Sequence, residues 1–262
     1  MLQARRICIK GGRHISLRQT GPVTRVFAHR GDARAARENT IGAFHAAVAA
    51  GADGVELDVR RSADGALVVH HDPQIEGLGP ISALGVRDLP RHVALLADAM
   101  DALAGLTVNV EIKNDPTEPG YDPTGAVAHE VVAALGERGD LERVVISSFD
   151  LATLDAVRQA DATVATGWLL EWRVDPLDAV TTCVGHDLGA IHPFVLAVTE
   201  DLVGAAHRAG LEVNIWTVNA RHDLERTVAL GVDAVITDDV ALALEVVGRL
   251  DPRNGGSGPS SA

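Results

Sequence analysis

The sequence predicts a single-domain α/β fold, a (β/α)8 barrel of the TIM type with a small hairpin excursion after its second strand. Two observations carry this. Short β-branched runs alternate with Ala- and Leu-rich segments of helical period, the pattern of repeated βα units around a parallel sheet. Eight such units fall between about residues 23 and 250, and eight is the number that closes a barrel. A chain of 262 residues that is 47% apolar can also fill one large core. A doubly wound open sheet is the alternative architecture.

The expected barrel strands are "TRVFAH" (24–29), "GVELDV" (54–59), "LTVNVEIK" (106–113), "RVVISSF" (143–149), "TVATGWLL" (163–170), "GAIHPF" (189–194), "LEVNIWTV" (211–218) and "DAVITD" (233–238). Helix signals separate them. Asn39 or Thr40 can cap "IGAFHAAVAA" before Gly51, and Thr199 can cap "EDLVGAAHRA" before Gly210. One strand exceeds the count, "ALVVHH" (66–71), joined to the second strand through "RRSADG", whose Asp64-Gly65 favours a tight hairpin turn. It should fold back antiparallel, approaching the start of its neighbour or curling over the barrel mouth. Residues 1–22, basic and aperiodic, read as a peripheral N-terminal extension, and 251–262 as a flexible Gly/Ser/Pro-containing tail.

Composition excludes several classes of function. The formal net charge of −13 and the absence of a Lys/Arg-rich block argue against binding nucleic acid or an anionic membrane surface. No apolar run approaches the roughly 20 residues that span a bilayer, so no membrane insertion is expected. The only two cysteines, Cys8 and Cys183, lack C-x-x-C spacing, and Lys10, Arg13 and His14 interrupt any signal-peptide core, which together suggest a cytoplasmic protein.

In such a barrel, chemistry gathers where the strands end in their C-terminal direction. There the sequence puts His29-Arg30-Gly31, then Glu56 and Asp58, then Glu111 and Lys113, then Trp216 and Asn219. Residues two apart on a strand share a face, so three carboxylates, Glu56, Asp58 and Glu111, should converge inside the barrel. Burying three like charges is prohibitive without a cation. Carboxylates without thiolates suit one hard divalent ion, Mg²⁺ or Ca²⁺. Arg30 and Lys113 could serve the same anionic ligand. A lone carboxylate is more often a salt-bridge partner; coincidence on successive strands is what favours a site.

Most of the eleven histidines, among them His45, His92, His129, His186, His207 and His222, have no matching partners and read as surface or packing residues. His192 is a candidate for the mouth. In "VVHHD", strand alternation lets at most one of His70 and His71 face a given site.

These segments, in order, resemble the glycerophosphodiester phosphodiesterase family. "AHRGD" with "ENT" and "AF" is similar to its first motif, "GVELDVRRSADGALVVHHD" to its second and "VEIK" to its third, while "AHRAGLEVNIWTVN" and "GVDAVITDD" resemble its last two strands. The likeness runs from about Phe27 to Asp239. It implies a (β/α)8 barrel, a divalent metal on Glu56, Asp58 and Glu111, and two catalytic histidines, His29 and His71, the latter selected over His70 by the aspartate that follows. Arg30 and Lys113 match phosphate-binding positions, and Trp216 a residue lining the substrate pocket.

The implied reaction hydrolyses small glycerophosphodiesters to glycerol 3-phosphate and an alcohol. Two departures stand out. Arg37 occupies the place of the usual proline before "ENT", and an arginine commonly found after the His-Asp motif is missing from "HDPQIEGLG". The short stretch from Asp72 to about Pro90 leaves no room for a large cap domain. A lysophospholipase D acting on a single-chain lipid is the rival within the same chemistry, and would need an apolar groove built from Trp168, Trp172, Phe194 and Trp216. A non-catalytic barrel holding a phosphate ligand is the rival from another class, disfavoured by the intact set of carboxylates and histidines.

Overall fold

The computed structural model describes residues 24–248, so the expected extension (1–22) and tail (251–262) lie outside the described residues. The eight barrel strands are β1 (Arg25–His29), β2 (Gly54–Arg61), β6 (Thr107–Ile112), β7 (Val144–Ser148), β8 (Ala165–Leu169), β9 (Ala190–His192), β10 (Glu212–Ile215) and β11 (Ala234–Thr237). All pair in parallel, in the ring order β1-β11-β10-β9-β8-β7-β6-β2, and the β1–β2 pairing closes it. Helices α1 (Ile41–Ala50), α2 (Leu96–Ala102), α3 (Ala126–Arg138), α4 (Leu151–Ala160), α5 (Pro176–Gly185), α6 (Glu200–Ala209), α7 (Arg221–Ala229) and α8 (Val240–Val246) form the outer layer. The strands predicted at 189–194 and 211–218 are shorter than expected, because the chain leaves the sheet at the mouth to build loops.

Local chemistry sets the boundaries. Thr40 accepts a hydrogen bond from the Ala43 amide and Gly51 ends α1 at φ 82°; Thr199 and Gly210 do the same for α6. The strands send apolar residues such as Val55, Leu57, Val108 and Val110 into the layer shared with the helices, while the alternate positions turned into the barrel include polar Asn109, His192 and Asn214. Gly54 is required where β2 passes β1: a Cβ there would lie 2.4 Å from the Phe27 ring.

The surplus strand, β3 (Leu67–Val69), pairs antiparallel with β2 in the register Val59↔Val69, Arg60↔Val68 and Arg61↔Leu67. It therefore stays beside the mouth. After it, β4 (Gln74–Ile75) and β5 (Gly79–Pro80) make a two-stranded sheet. Val68, Ile75 and Ile81 bury a satellite cluster under this segment, so it is packed structure and no separate domain. β3 ends at Val69, before the two histidines, and strand alternation consequently does not govern His70 and His71.

Candidate active site

Strand register builds the acidic cluster. In the parallel ladders His29 lies beside Glu56, Glu56 beside Asn109, and Asp58 beside Glu111. One carboxylate oxygen from each of Glu56, Asp58 and Glu111 lies within 4.8 Å of the others, and all three residues are buried. Two cations lean on them. Lys113 Nζ is 2.8 Å from Glu111 Oε1 and 3.7 Å from Asp58 Oδ1, and Arg30 Nε is 3.2 Å from Asp58 Oδ2.

The turn after β1 is strained in order to aim its side chains. Arg30 and Asn39 adopt φ values of 57° and 55°. Gly31 follows at φ 84°, where a Cβ would lie 2.7 Å from Ala43. In return the Arg30 amide donates to Glu56 Oε2 at 3.0 Å, and Asn39 Nδ2 donates to Asp58 Oδ2 at 2.7 Å.

The electrostatics explain what the cluster lacks. Burial, together with repulsion from Asp58 and Glu111, pushes the Glu56 carboxyl up to about 8. Burial likewise raises Glu111, whereas Lys113 and Arg30 overcome the burial of Asp58 and hold it below its usual range. Asp58 Oδ1 is buried with no hydrogen-bond partner. The donor set therefore fits a hard divalent cation: three converging carboxylates, one with a buried oxygen that lacks a hydrogen bond, in a space where without added positive charge one carboxyl keeps its proton.

Both histidines are held by aspartates. His29 Nδ1 lies 2.6 Å from Asp238 Oδ1, and Asn219 fixes that aspartate by donating to Oδ2 at 2.6 Å and accepting its amide at 2.9 Å. His71 Nδ1 lies 2.7 Å from Asp72 Oδ1. Each imidazole thus keeps Nε2 free of that bond, and His29 Nε2 stands 4.0 Å from Glu56 Oε2. Burial pulls the His29 pKa down, but the Asp238 hydrogen bond and the Glu56 charge outweigh it and the net shift is upward. For His71, burial and the charges of Lys113 and Arg30 outweigh Asp58 and Asp72, and the shift is downward. The His71 backbone is fixed from β2: buried Arg60 donates from Nε to the His71 carbonyl at 2.8 Å and pairs with Glu118, also at 2.8 Å.

Of the eight residues proposed from sequence, His29, Arg30, Glu56, Asp58, His71, Glu111 and Lys113 converge at one mouth. Trp216 stands to the side, its Nε1 donating to the His192 carbonyl at 2.8 Å and its ring in T-shaped contact with Phe149 and Phe194, each at 5.5 Å between centroids. Phe149 also lies under Lys113 Nζ at 5.8 Å, which links the aromatic wall to the cluster. His192 is not at the mouth. It is 1% exposed inside the barrel, where a Cβ on Gly167 would come within 2.4 Å of its Nε2. His70 and His71 are not kept to opposite faces: both line one cavity, together with His92, for which the sequence offers no partner.

Sequence reasoning missed Asp238, Asn39, Arg60 and Asp72 as supports. The rule that polar residues at strand ends face the mouth reaches Asp238, immediately after β11; nothing local marks Arg60, whose partner is a loop carbonyl.

Three buried carboxylates beside Arg30 and Lys113 at the mouth of a (β/α)8 barrel are a donor set that could hold a divalent cation and, with the two cations, meet the charge of a phosphate ester. The sequence model of the Glycerophosphoryl diester phosphodiesterase family matches residues 29–242, and the chain belongs to that family. It is 30% identical over 245 residues to a glycerophosphodiester phosphodiesterase of Caldanaerobacter subterraneus subsp. tengcongensis, covering 86% of this chain and 98% of that one. A Bacillus altitudinis glycerophosphodiester phosphodiesterase is 27% identical over 241 residues, covering 82% and 95%. The crystal structure of a glycerophosphodiester phosphodiesterase from Thermotoga maritima superposes with a TM-score of 0.70 at 27% identity, covering 85% and 98%.

Proposed function

We propose that the chain hydrolyses glycerophosphodiesters to glycerol 3-phosphate and an alcohol, using His29 and His71 as the acid–base pair and one divalent cation, Mg²⁺ or Ca²⁺, on Glu56, Asp58 and Glu111. One observation carries the reading: two aspartate-held imidazoles flank a buried space that combines three carboxylates with Arg30 and Lys113. When bound, the cation supplies positive charge to the phosphate oxygens and activates the attacking hydroxyl. Arg30 and Lys113 hold the remaining phosphate charge and orient the phosphorus. One imidazole accepts the proton of the nucleophile as the new P–O bond forms; a water gives glycerol 3-phosphate directly, whereas the neighbouring glycerol hydroxyl gives first a cyclic phosphate, whose ring P–O bond a water then breaks. The other donates a proton to the departing alkoxide as the ester P–O bond breaks. Asp238 and Asp72 fix each ring by its Nδ1.

The lipid-cleaving alternative draws less support. Of the four large residues it needs, Trp168 is core and donates to the Phe149 carbonyl, while Trp172 is 80% exposed and stacks on Arg173. Among the described residues no helix is long and apolar enough to cross a membrane. A net charge of −13 supports a small-molecule substrate over nucleic acid. A cytoplasmic location belongs to the same proposal, supported by the use of only two cysteines, one of them, Cys183, a buried free thiol.

The deciding experiment is glycerol 3-phosphate release from a panel of glycerophosphodiesters and lysolipids, with and without chelator. Release from the water-soluble diesters, lost on chelation and restored by Mg²⁺ or Ca²⁺, is the expected result. Full activity in chelator would sink the metal assignment, and release from lysolipids alone would replace the substrate class.

A further inference from the structure

Beside His71, a cavity of about 90 Å³ opens between the loop after β1 and the segment after β3, lined by Arg37, Asn39, His70, His71, His92 and Val93 among others. One water needs only ~10–15 Å³ of such space, so a group of several heavy atoms fits. It adjoins the proposed reaction centre: His71 and Asn39 form part of its wall, and Asn39 also hydrogen-bonds Asp58 of the carboxylate cluster at 2.7 Å.

The charged groups around it are unequally paired. Glu38 and Asp72 also line the cavity, but Glu38 Oε1 is taken by Arg30 at 2.9 Å and Asp72 Oδ1 by His71 at 2.7 Å. Arg37 has no carboxylate partner among the described residues. The same holds for His92, whose pKa is lowered by burial and then by the charges of Arg37 and His70, with no carboxylate opposing them. His70 Nδ1 donates to the Asp72 carbonyl at 2.9 Å, leaving Nε2 for a ligand. An unpaired guanidinium and two imidazoles around one small cavity are what an anionic group would complete.

We propose that this cavity is the head-group subsite and that Arg37, His70 and His92 select substrates whose alcohol carries its own anionic group, a phosphate or carboxylate. The proposal rests on the phosphodiesterase reading. The ester oxygen that lies against His71 carries its substituent past the ring and into the cavity, where an anion meets Arg37. A quaternary ammonium there would meet the Arg37 guanidinium.

The test compares kcat/KM for glycerophosphoglycerol phosphate, glycerophosphoglycerol and glycerophosphocholine, on the metal-loaded wild type and on Arg37→Ala, Arg37→Glu, Arg37→Lys and His92→Gln. Wild type should favour the phosphate-bearing substrate over the choline ester by about tenfold or more, the scale of one charge-assisted hydrogen bond. That ratio should collapse toward one in Arg37→Ala, invert in Arg37→Glu and partly survive in Arg37→Lys, with the change carried mainly in KM. Arg208→Ala removes an equal charge from an exposed position on α6 and should leave the ratio as it is, separating a local contact from the overall field. Melting temperatures show that the variants fold. A wild type that cleaves all three equally, or prefers choline, or whose ratio moves as much in Arg208→Ala as in Arg37→Ala, overturns the subsite while leaving the phosphodiesterase reading standing. A wild type that cleaves none of them overturns the phosphodiesterase reading itself.

Discussion

At the mouth of the barrel Glu56, Asp58 and Glu111 crowd their carboxylates into one buried space, whereas deeper inside Asn109, Asn214 and His192 crowd neutral amides and an imidazole into another. Both groups are nearly inaccessible to solvent. At the mouth the groups titrate against one another, with Glu56 driven up to about 8 and two cations drawn in. Inside, burial, reinforced by Arg25, pushes His192 down to about 3, and its Nε2 settles against Asn214 Nδ2 at 3.1 Å. A neutral polar group can be buried for the cost of a few unmade hydrogen bonds, while a cluster of charges needs counter-charge, and that unmet need is what a ligand or metal can satisfy. The mouth is therefore tuned for function and the interior for fold, the division expected of the two ends of such a barrel.

The contrast is broken most severely at the histidines. His71→Ala and His29→Ala should each lower kcat by ~10²–10⁴-fold, the usual range for a lost general acid or base, with little change in melting temperature. His70→Ala should act mainly through KM and far more weakly. A larger kcat loss in His70→Ala than in His71→Ala would mean that the wrong ring has been assigned to the phosphorus.

Next in size is the pH response of the interior. His192 is neutral when folded and returns to its ordinary value, near 6.5, when unfolded, so the unfolded chain binds the extra proton. Its contribution is intact above pH ~6.5 and is lost as pH falls toward about 3, by a few kcal/mol in all. Urea unfolding across that window should give a shallower slope in His192→Gln than in wild type; parallel slopes would remove His192 as the cause.

The mouth has its own stability signature. At a cation concentration of about 100 Kd, Mg²⁺ or Ca²⁺ should stabilise the wild type by ~2.7 kcal/mol, read as a rise in melting temperature. Glu56→Gln should be at least as stable as wild type in chelator and should lose most of that rise. A full rise in the variant would exclude Glu56 as a ligand. The smallest effect belongs to Gly167→Ala, whose new methyl presses on His192 and should cost ~1–3 kcal/mol of stability while leaving kcat/KM within about twofold. A greater effect on turnover than on stability would show that interior and mouth are coupled.

Much of this was legible in the chain. The eight strands, the caps of α1 and α6 and the three carboxylates follow from periods of two and 3.6 residues and from turn chemistry, all local properties. Glu56 and Asp58 share a face whatever the rest of the molecule does. The sequence also resembles the family's motifs from about Phe27 to Asp239, within which the two histidines proposed as acid and base, His29 and His71, can be named.

What tertiary structure alone decided is which groups meet across distant loops. Strand alternation did not apply to His70 and His71, because β3 ends at Val69 and the backbone beyond it is held by Arg60 instead. His192 lies in a strand as the sequence suggests, yet ring closure puts it in the interior, against Gly167 of β8. Asp238 reaches His29 across 209 positions of sequence, and His92 joins Arg37 and His70 only because the segment after β3 folds over the mouth. Periodicity sets the side of an element a residue occupies; barrel closure and loop packing set what stands opposite it.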